Sequence, residues 1–264
     1  MPKVRPAAVA GAFYPGEAAA LAAEVGSYLA ESAPRQAGPA PKAIIAPHAG
    51  YIYSGAIAAS VYARLAPQGR VRRVVLLGPA HRVHVAGMAV PSVAAFASPL
   101  GEVRLDAELL RRVAFLPGVE VSDHAHALEY SLEVHLPFLQ AVLGEFALLP
   151  VLVGDASPGA VRALLELCWG GEETLVVVSS DLSHYLPYDD ARRRDRDTAA
   201  AILALDATLV PEEACGAAPI NGLLAFARAH GLRAEGLDLR NSGDTAGSRD
   251  RVVGYGSFAF HERA

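Results

Sequence analysis

Cysteine is scarce in this chain: Cys168 and Cys215 are the only two, far apart and outside any CxxC pair. That spacing excludes a zinc–cysteine site and argues against a disulfide. Basic residues are not in excess either. Lys and Arg number 23 against 28 Asp and Glu, for a net charge of -5, so the footprint that a phosphate-backbone partner requires is missing and no nucleic acid is expected. No apolar run reaches the roughly 18 residues of a membrane span. The leading MPKVRPAAVAGAFYPG is broken by prolines and lacks an apolar secretory core. Neither GxGxxG after a strand nor GxxxxGK[ST] occurs, which removes the usual dinucleotide and P-loop sites. No internal repeat or low-complexity tract is present. The expectation is a soluble, cytoplasmic protein.

What remains is apolar and patterned. Hydrophobic residues make up 52% and charged residues 19% of 264, enough for one large α/β domain spanning 1–264. An irregular lead-in (1–16) precedes an alanine-rich helix at Glu17–Ser32 and a Pro/Gly-rich linker at Ala33–Pro41. KAIIAP (42–47) reads as a strand, followed by a helix over Ser54–Leu65 with Ser54 as N-cap. Strands are expected at 71–77 and 86–90, with a helix at Asp106–Ala114 capped by Asp106. The stretch DHAHALEYSLEVHLPFLQ (123–140) is dense in His and Glu; helical spacing runs over 131–143, with Pro137 forcing a break or a later start. A strand at 146–153, a helix at 158–168 and a strand at 174–179 follow. Helices at 189–205 and 219–230, the latter ended by Gly231, lead to strands at 235–241 and 252–260. This alternation predicts a mainly parallel sheet with helices on both faces.

Three strands each deliver a histidine. IIAPH ends in His48, VVLLGPAH in His81, and TLVVVSSDLSH in His184. In open α/β sheets the chemistry lies beyond the strand carboxyl ends, so the three can converge there and bind a metal or exchange protons. The plain alternative for each is a hydrogen-bonded loop histidine; His84 is expected to be solvated. Asp181, three residues before His184, can orient that imidazole or cap a turn.

A second cluster comprises Asp123, His124, His126, Glu129, Glu133 and His135. A solvated face is the expectation for His124, His126 and Glu133, whereas Glu129 sits beside Leu128, Leu132 and Leu136, a buried side. Asp244, in the loop SGDTAGSRDR, is a carboxylate ligand or an ordinary turn aspartate. No histidine lies close to Cys215 in sequence, so a buried inert thiol is the expectation over a nucleophile. Glu129, Tyr51 and Cys215 are the further cleft candidates.

RPAAVAGAFYPG, APHAGYIYSG, LLGPAHRV, EYSLEVHLPFLQ, SSDLSHY, CGAAPI and SGDTAGSRDRVVGYGSFAF resemble, in that order, the motifs of the Memo family, whose bacterial and archaeal members are called AmmeMemoRadiSam system protein B. The likeness covers essentially the whole chain. It implies an α/β/α sandwich similar to LigB-type class III extradiol dioxygenases, with a cleft built from His48, His81, Asp181 and His184. In those dioxygenases two histidines and a carboxylate hold Fe(II) while another histidine moves protons. Carried over, His48 and His81 look like metal ligands and His184 the acid/base, with Asp181 steering it. Two departures stand out. Animal members have a cysteine ligand in the C-terminal loop, where this chain reads Gly243-Asp244-Thr245, leaving Asp244 as the third ligand in a facial triad suited to Fe(II). Tyr130 also stands where the family often has histidine.

The resemblance thus implies a metal-dependent, dioxygenase-like redox enzyme acting with a radical SAM and an AMMECR1-like partner on an unknown small molecule or peptide. Animal members are described as binding phosphotyrosine segments, so a non-enzymatic peptide- or anion-binding module is the alternative. A metal hydrolase, using a divalent ion other than Fe(II) to activate water, is the third reading.

Overall fold

The computed structural model describes residues 3–32, 38–65 and 70–262; most of the expected linker, 33–37, lies outside them. The chain opens with β1 (Val4–Arg5) and α1 (Ala18–Glu31), then β2 (Ala43–Ala46), α2 (Tyr51–Tyr62) and β3 (Arg73–Pro79). Next come β4 (Met88–Val90), β5 (Ala95–Ser98), β6 (Gly101–Arg104), α3 (Ala107–Val113), β7 (Val119–Val121) and α4 (Asp123–Ala127). A 3-10 turn (Glu133–His135) leads into α5 (Leu136–Leu143), β8 (Ala147–Val153), α6 (Pro158–Cys168) and β9 (Thr174–Ser179). The last part holds β10 (His184–Leu186), α7 (Tyr188–Leu203), α8 (Ala217–His230), β11 (Arg233–Asn241), a 3-10 turn (Ser242–Asp244) and β12 (Val252–His261).

The large sheet runs β10-β12-β2-β9-β3-β8-β4-β7, with β11 pairing β12. Its centre, β2-β9-β3-β8, is parallel. These strands are valine-, leucine- and isoleucine-rich, as strands covered on both faces must be. The flanks turn antiparallel, β12 against β2 and β4 against β8. Helices cover both faces. Ser257 on β12 donates its hydroxyl to Ile57 of α2, while Gly254, an odd number of residues earlier, faces Asp195 of α7; alternation along a strand puts these on opposite sides. The expected helices are therefore present at both faces of an α/β sheet that is parallel at its centre and mixed at its flanks. A second sheet, β1-β5-β6, was not anticipated: its strands are too short and too mixed in composition to stand out.

Local differences have physical causes. The second helix starts at Tyr51 instead of Ser54, because Phe13 of the lead-in accepts the Tyr51 amide and replaces a side-chain cap. Ser54 lies inside the helix and donates to the Ala49 carbonyl. Pro137 sits in the first turn of α5, the position where it costs nothing, so the helix starts late. Asp106 caps α3 through the Leu109 amide, and Gly231 ends α8 at φ 69, both as the sequence predicts.

Candidate metal centre

Since β9 lies between β2 and β3 and all three are parallel, the loops after them leave the same edge side by side. His48 follows β2, His81 follows β3, and Ser180–His184 follow β9. The loops after β2 and β9 hold each other. The Ser180 amide donates to Ala46 (3.0 Å), and Asp181 Oδ1 accepts the His48 amide at 2.8 Å. The His48 and His81 rings stand edge to face, centroids 5.1 Å apart.

Both imidazoles have one nitrogen committed. Ser179 donates its only hydroxyl proton to the Ser131 carbonyl (2.6 Å), so its oxygen must accept from His48 Nδ1–H, 2.6 Å away. Nε2 of His48 is thereby left as the acceptor nitrogen, facing Cys215. His81 Nδ1 meets Glu129 Oε1 at 3.0 Å, and the other Glu129 oxygen takes the His81 amide. Glu129 also accepts the Tyr130 and Ser131 amides. Burial alone would raise its carboxyl; the bonds from His81 and Ser131 outweigh that and hold it at about 2. An ionised Glu129 keeps Nδ1 of His81 protonated and frees Nε2, the pattern of carboxylate-oriented metal histidines. Burial, reinforced by His81, pushes His48 well below the usual histidine range, so it stands neutral, the form a metal needs.

Cys215 supplies the third donor. Its Sγ lies 3.4 Å from His48 Nε2, and one ligand atom each from His48, His81 and Cys215 falls within 4.8 Å of the others. Two nitrogens and a sulfur on one tetrahedral ion stand about 3.5 Å apart, so the spread is close to what coordination requires. Gly216 makes this approach possible: a Cβ there would come within 2.6 Å of the Ser179 carbonyl. Burial, with Asp181 adding to it, drives the Cys215 thiol up to about 12; a metal binding there must displace its proton.

The sequence-derived candidates separate accordingly. His48, His81, Asp181 and His184 do meet, the last three lining a cavity of about 1210 Å³ together with Cys215, Tyr130 and Tyr53. Asp244 does not join them. It is exposed, accepts from the Tyr188 hydroxyl and closes a capping box with Asn241, so its oxygens cap a turn. Tyr51 is buried at 3%, its hydroxyl donating to Val134; Tyr53 faces the cavity in its place. Glu129 touches the site through His81 and lies, as expected, on a buried side with Leu132 and Leu136, although Leu128 is exposed at 68%. The exclusion of a zinc–cysteine site holds only for paired cysteines, because one thiol with two remote histidines leaves no spacing to read.

Glu133 and His126 overturn the solvated-face expectation. Glu133 is fully buried and paired with Arg5 at 2.7 Å. It also accepts the Ala8 and Val9 amides and the Tyr14 hydroxyl. Arg5 in turn donates to the Glu129 and His126 carbonyls. This network fastens the lead-in over the strand ends and brings Phe13 to the cavity, its ring tilted against Tyr130 at 4.8 Å. A buried carboxylate needs such partners, and none of them is near in sequence.

The family model described as Memo-like protein matches residues 5–259. The chain belongs to the Memo family. A MEMO1 family protein of Aquifex aeolicus is 37% identical over 267 residues, covering 96% of this chain and 97% of the relative. One from Sulfolobus acidocaldarius is 32% identical over 281 residues, at 97% and 99% coverage. This Memo-family chain thus carries a His-His-Cys group that could hold a metal. Among the described residues, no helix is long and apolar enough to cross a membrane.

Proposed function

We propose that this chain is a metal-dependent oxidoreductase of the oxygenase type, with Fe(II) held by His48, His81 and Cys215. One observation carries the reading: two imidazoles with their Nδ1 protons committed elsewhere face a cysteine thiol within 4.8 Å. Soft and borderline donors of this kind suit Fe(II) as well as zinc. When bound, the metal supplies redox change and Lewis acidity. The chain's own residues do the rest. Asp181, which burial pushes up to about 6 against the pull of the His48 amide, is a proton reservoir near neutrality. His184 stands in the same cavity and carries the proton. Tyr130 stacks on His81 at 4.9 Å and shields the centre from water on that side.

A second reading, a cleft that binds a peptide or an anion without turnover, draws on Arg194 and Arg251, which line the wall beside His184. Metal analysis of protein purified without oxygen separates the readings. Near-stoichiometric iron, lost in the His48→Ala/His81→Ala variant, is expected. Zinc with indifference to oxygen would point to the hydrolase, and full metal retention in that variant would overturn the site altogether.

A further inference from the structure

Helix α7 begins YDDARRRDRD and is the most polar helix of the chain, yet one of its four aspartates, Asp195, is only 3% exposed. Its carboxylate goes to one place. Oδ1 accepts the Ser183 amide at 3.0 Å, and the group fills the space above Gly254, where a Cβ would come within 2.1 Å of Oδ2. Gly254 itself donates to the Ser183 carbonyl and accepts from Leu182, both at 2.8 Å. Ser183 is therefore seated from two sides, by β12 through its carbonyl and by Asp195 through its amide. Its hydroxyl is buried beside the same carboxylate without forming a well-aligned hydrogen bond, so the amide is the bond that ties the segment to α7.

The next residue is His184. It pairs with Val253, after which the register slips before Leu186 meets Val252. The slip is a bulge at Tyr185, whose φ of 57 is unusual for a non-glycine residue. Bulges re-aim side chains, and strained backbone persists only where its surroundings enforce it. The Asp195–Ser183 bond is the anchor immediately before this bulge.

We propose that Asp195 is a positioning residue for His184: by holding the Ser183 amide against β12, it sets where the His184 imidazole stands in the cavity. The functional meaning rests on the reading of His184 as proton carrier, whereas the geometry does not involve the metal.

The test uses metal-free protein and reads His184 directly, through its ring resonances in NMR spectra and its rate of carbethoxylation measured on the isolated peptide. In Asp195→Ala the ring resonances should move and the rate should change several-fold. Asp195→Asn keeps an acceptor oxygen and should restore both values, and Ser183→Ala should leave both untouched. Should Asp195→Ala fail to fold, Asp195→Glu, which retains the charge but displaces the oxygen, is read in the same way. Wild-type values in a folded Asp195→Ala or Asp195→Glu, or an equal shift in Ser183→Ala, would overturn the proposal. Loss of the metal reading would appear separately, as wild-type protein that takes up no metal while the His184 changes persist.

Discussion

Cys215 Sγ lies 3.4 Å from His48 Nε2 across 167 residues of sequence. The contact joins the loop entering α8 to the end of β2, and it sets Cys215 beside the two histidines as a candidate metal donor.

Cys215→Ala should therefore lower metal affinity sharply, because it leaves two imidazoles without a third donor. Asp244→Ala should leave metal content unchanged and cost only about 0.5–2 kcal/mol for a lost cap. Equilibrium dialysis with elemental analysis, run beside urea melts, distinguishes the two. Metal loss in Asp244→Ala would return the third ligand to that loop.

Ser179→Ala removes the group that fixes the His48 tautomer and strands the Ser131 carbonyl. A roughly 10–100-fold weakening of metal binding is expected, together with a loss of about 1–3 kcal/mol for the unpaired buried groups. Unchanged affinity would show that the tautomer is set elsewhere.

Glu129 is held at about 2, below the ordinary 4.5. A depressed carboxyl stabilises the fold fully above pH 4.5, and that contribution is lost as pH falls towards 2. Its size is roughly 3 kcal/mol at most. Glu129→Gln should flatten this acid limb in denaturant titrations, and a variant with the same acid sensitivity as wild type would contradict the assignment.

Asp195 behaves in the opposite sense. Burial pushes it up to about 6 from 3.8, against the bond from Ser183, so its stabilising contribution is complete below pH 4 and lost as pH rises through 6. Asp195→Asn should match wild type near pH 4 and exceed it at pH 8 by up to about 3 kcal/mol. Equal stability at both pH values would refute this.

Glu133→Ala leaves Arg5 buried and unpaired and should cost about 3–5 kcal/mol. Because Ala8, Val9 and Tyr14 lose their acceptor as well, limited proteolysis should open first within residues 5–14. Cleavage that begins elsewhere would show that the lead-in is held by other means.

Strand periodicity was enough to place β2, β3 and β9, since unbroken runs such as VVV and AII admit little but buried parallel strands, and parallel strands must release His48, His81 and His184 at one edge. The Asp106 cap and the Gly231 stop were equally legible, because both depend on neighbours three or four residues away. The small sheet and the start of α2 were not, since β1 gains its partners only from β5 and the first amide of α2 finds its acceptor in Phe13.

The same boundary runs through the site. By itself the sequence determined the parallel centre of the sheet, the edge where the candidate site lies, and the histidines delivered to it, because hydrophobic periodicity acts over short distances along the chain. Tertiary structure alone decided that Cys215 joins His48 and His81 while Asp244 caps a turn. It also decided that Glu129 and Glu133 are buried partners of His81 and Arg5. Those choices depend on which loops pack together and on whether a polar side chain, once removed from water, finds a partner.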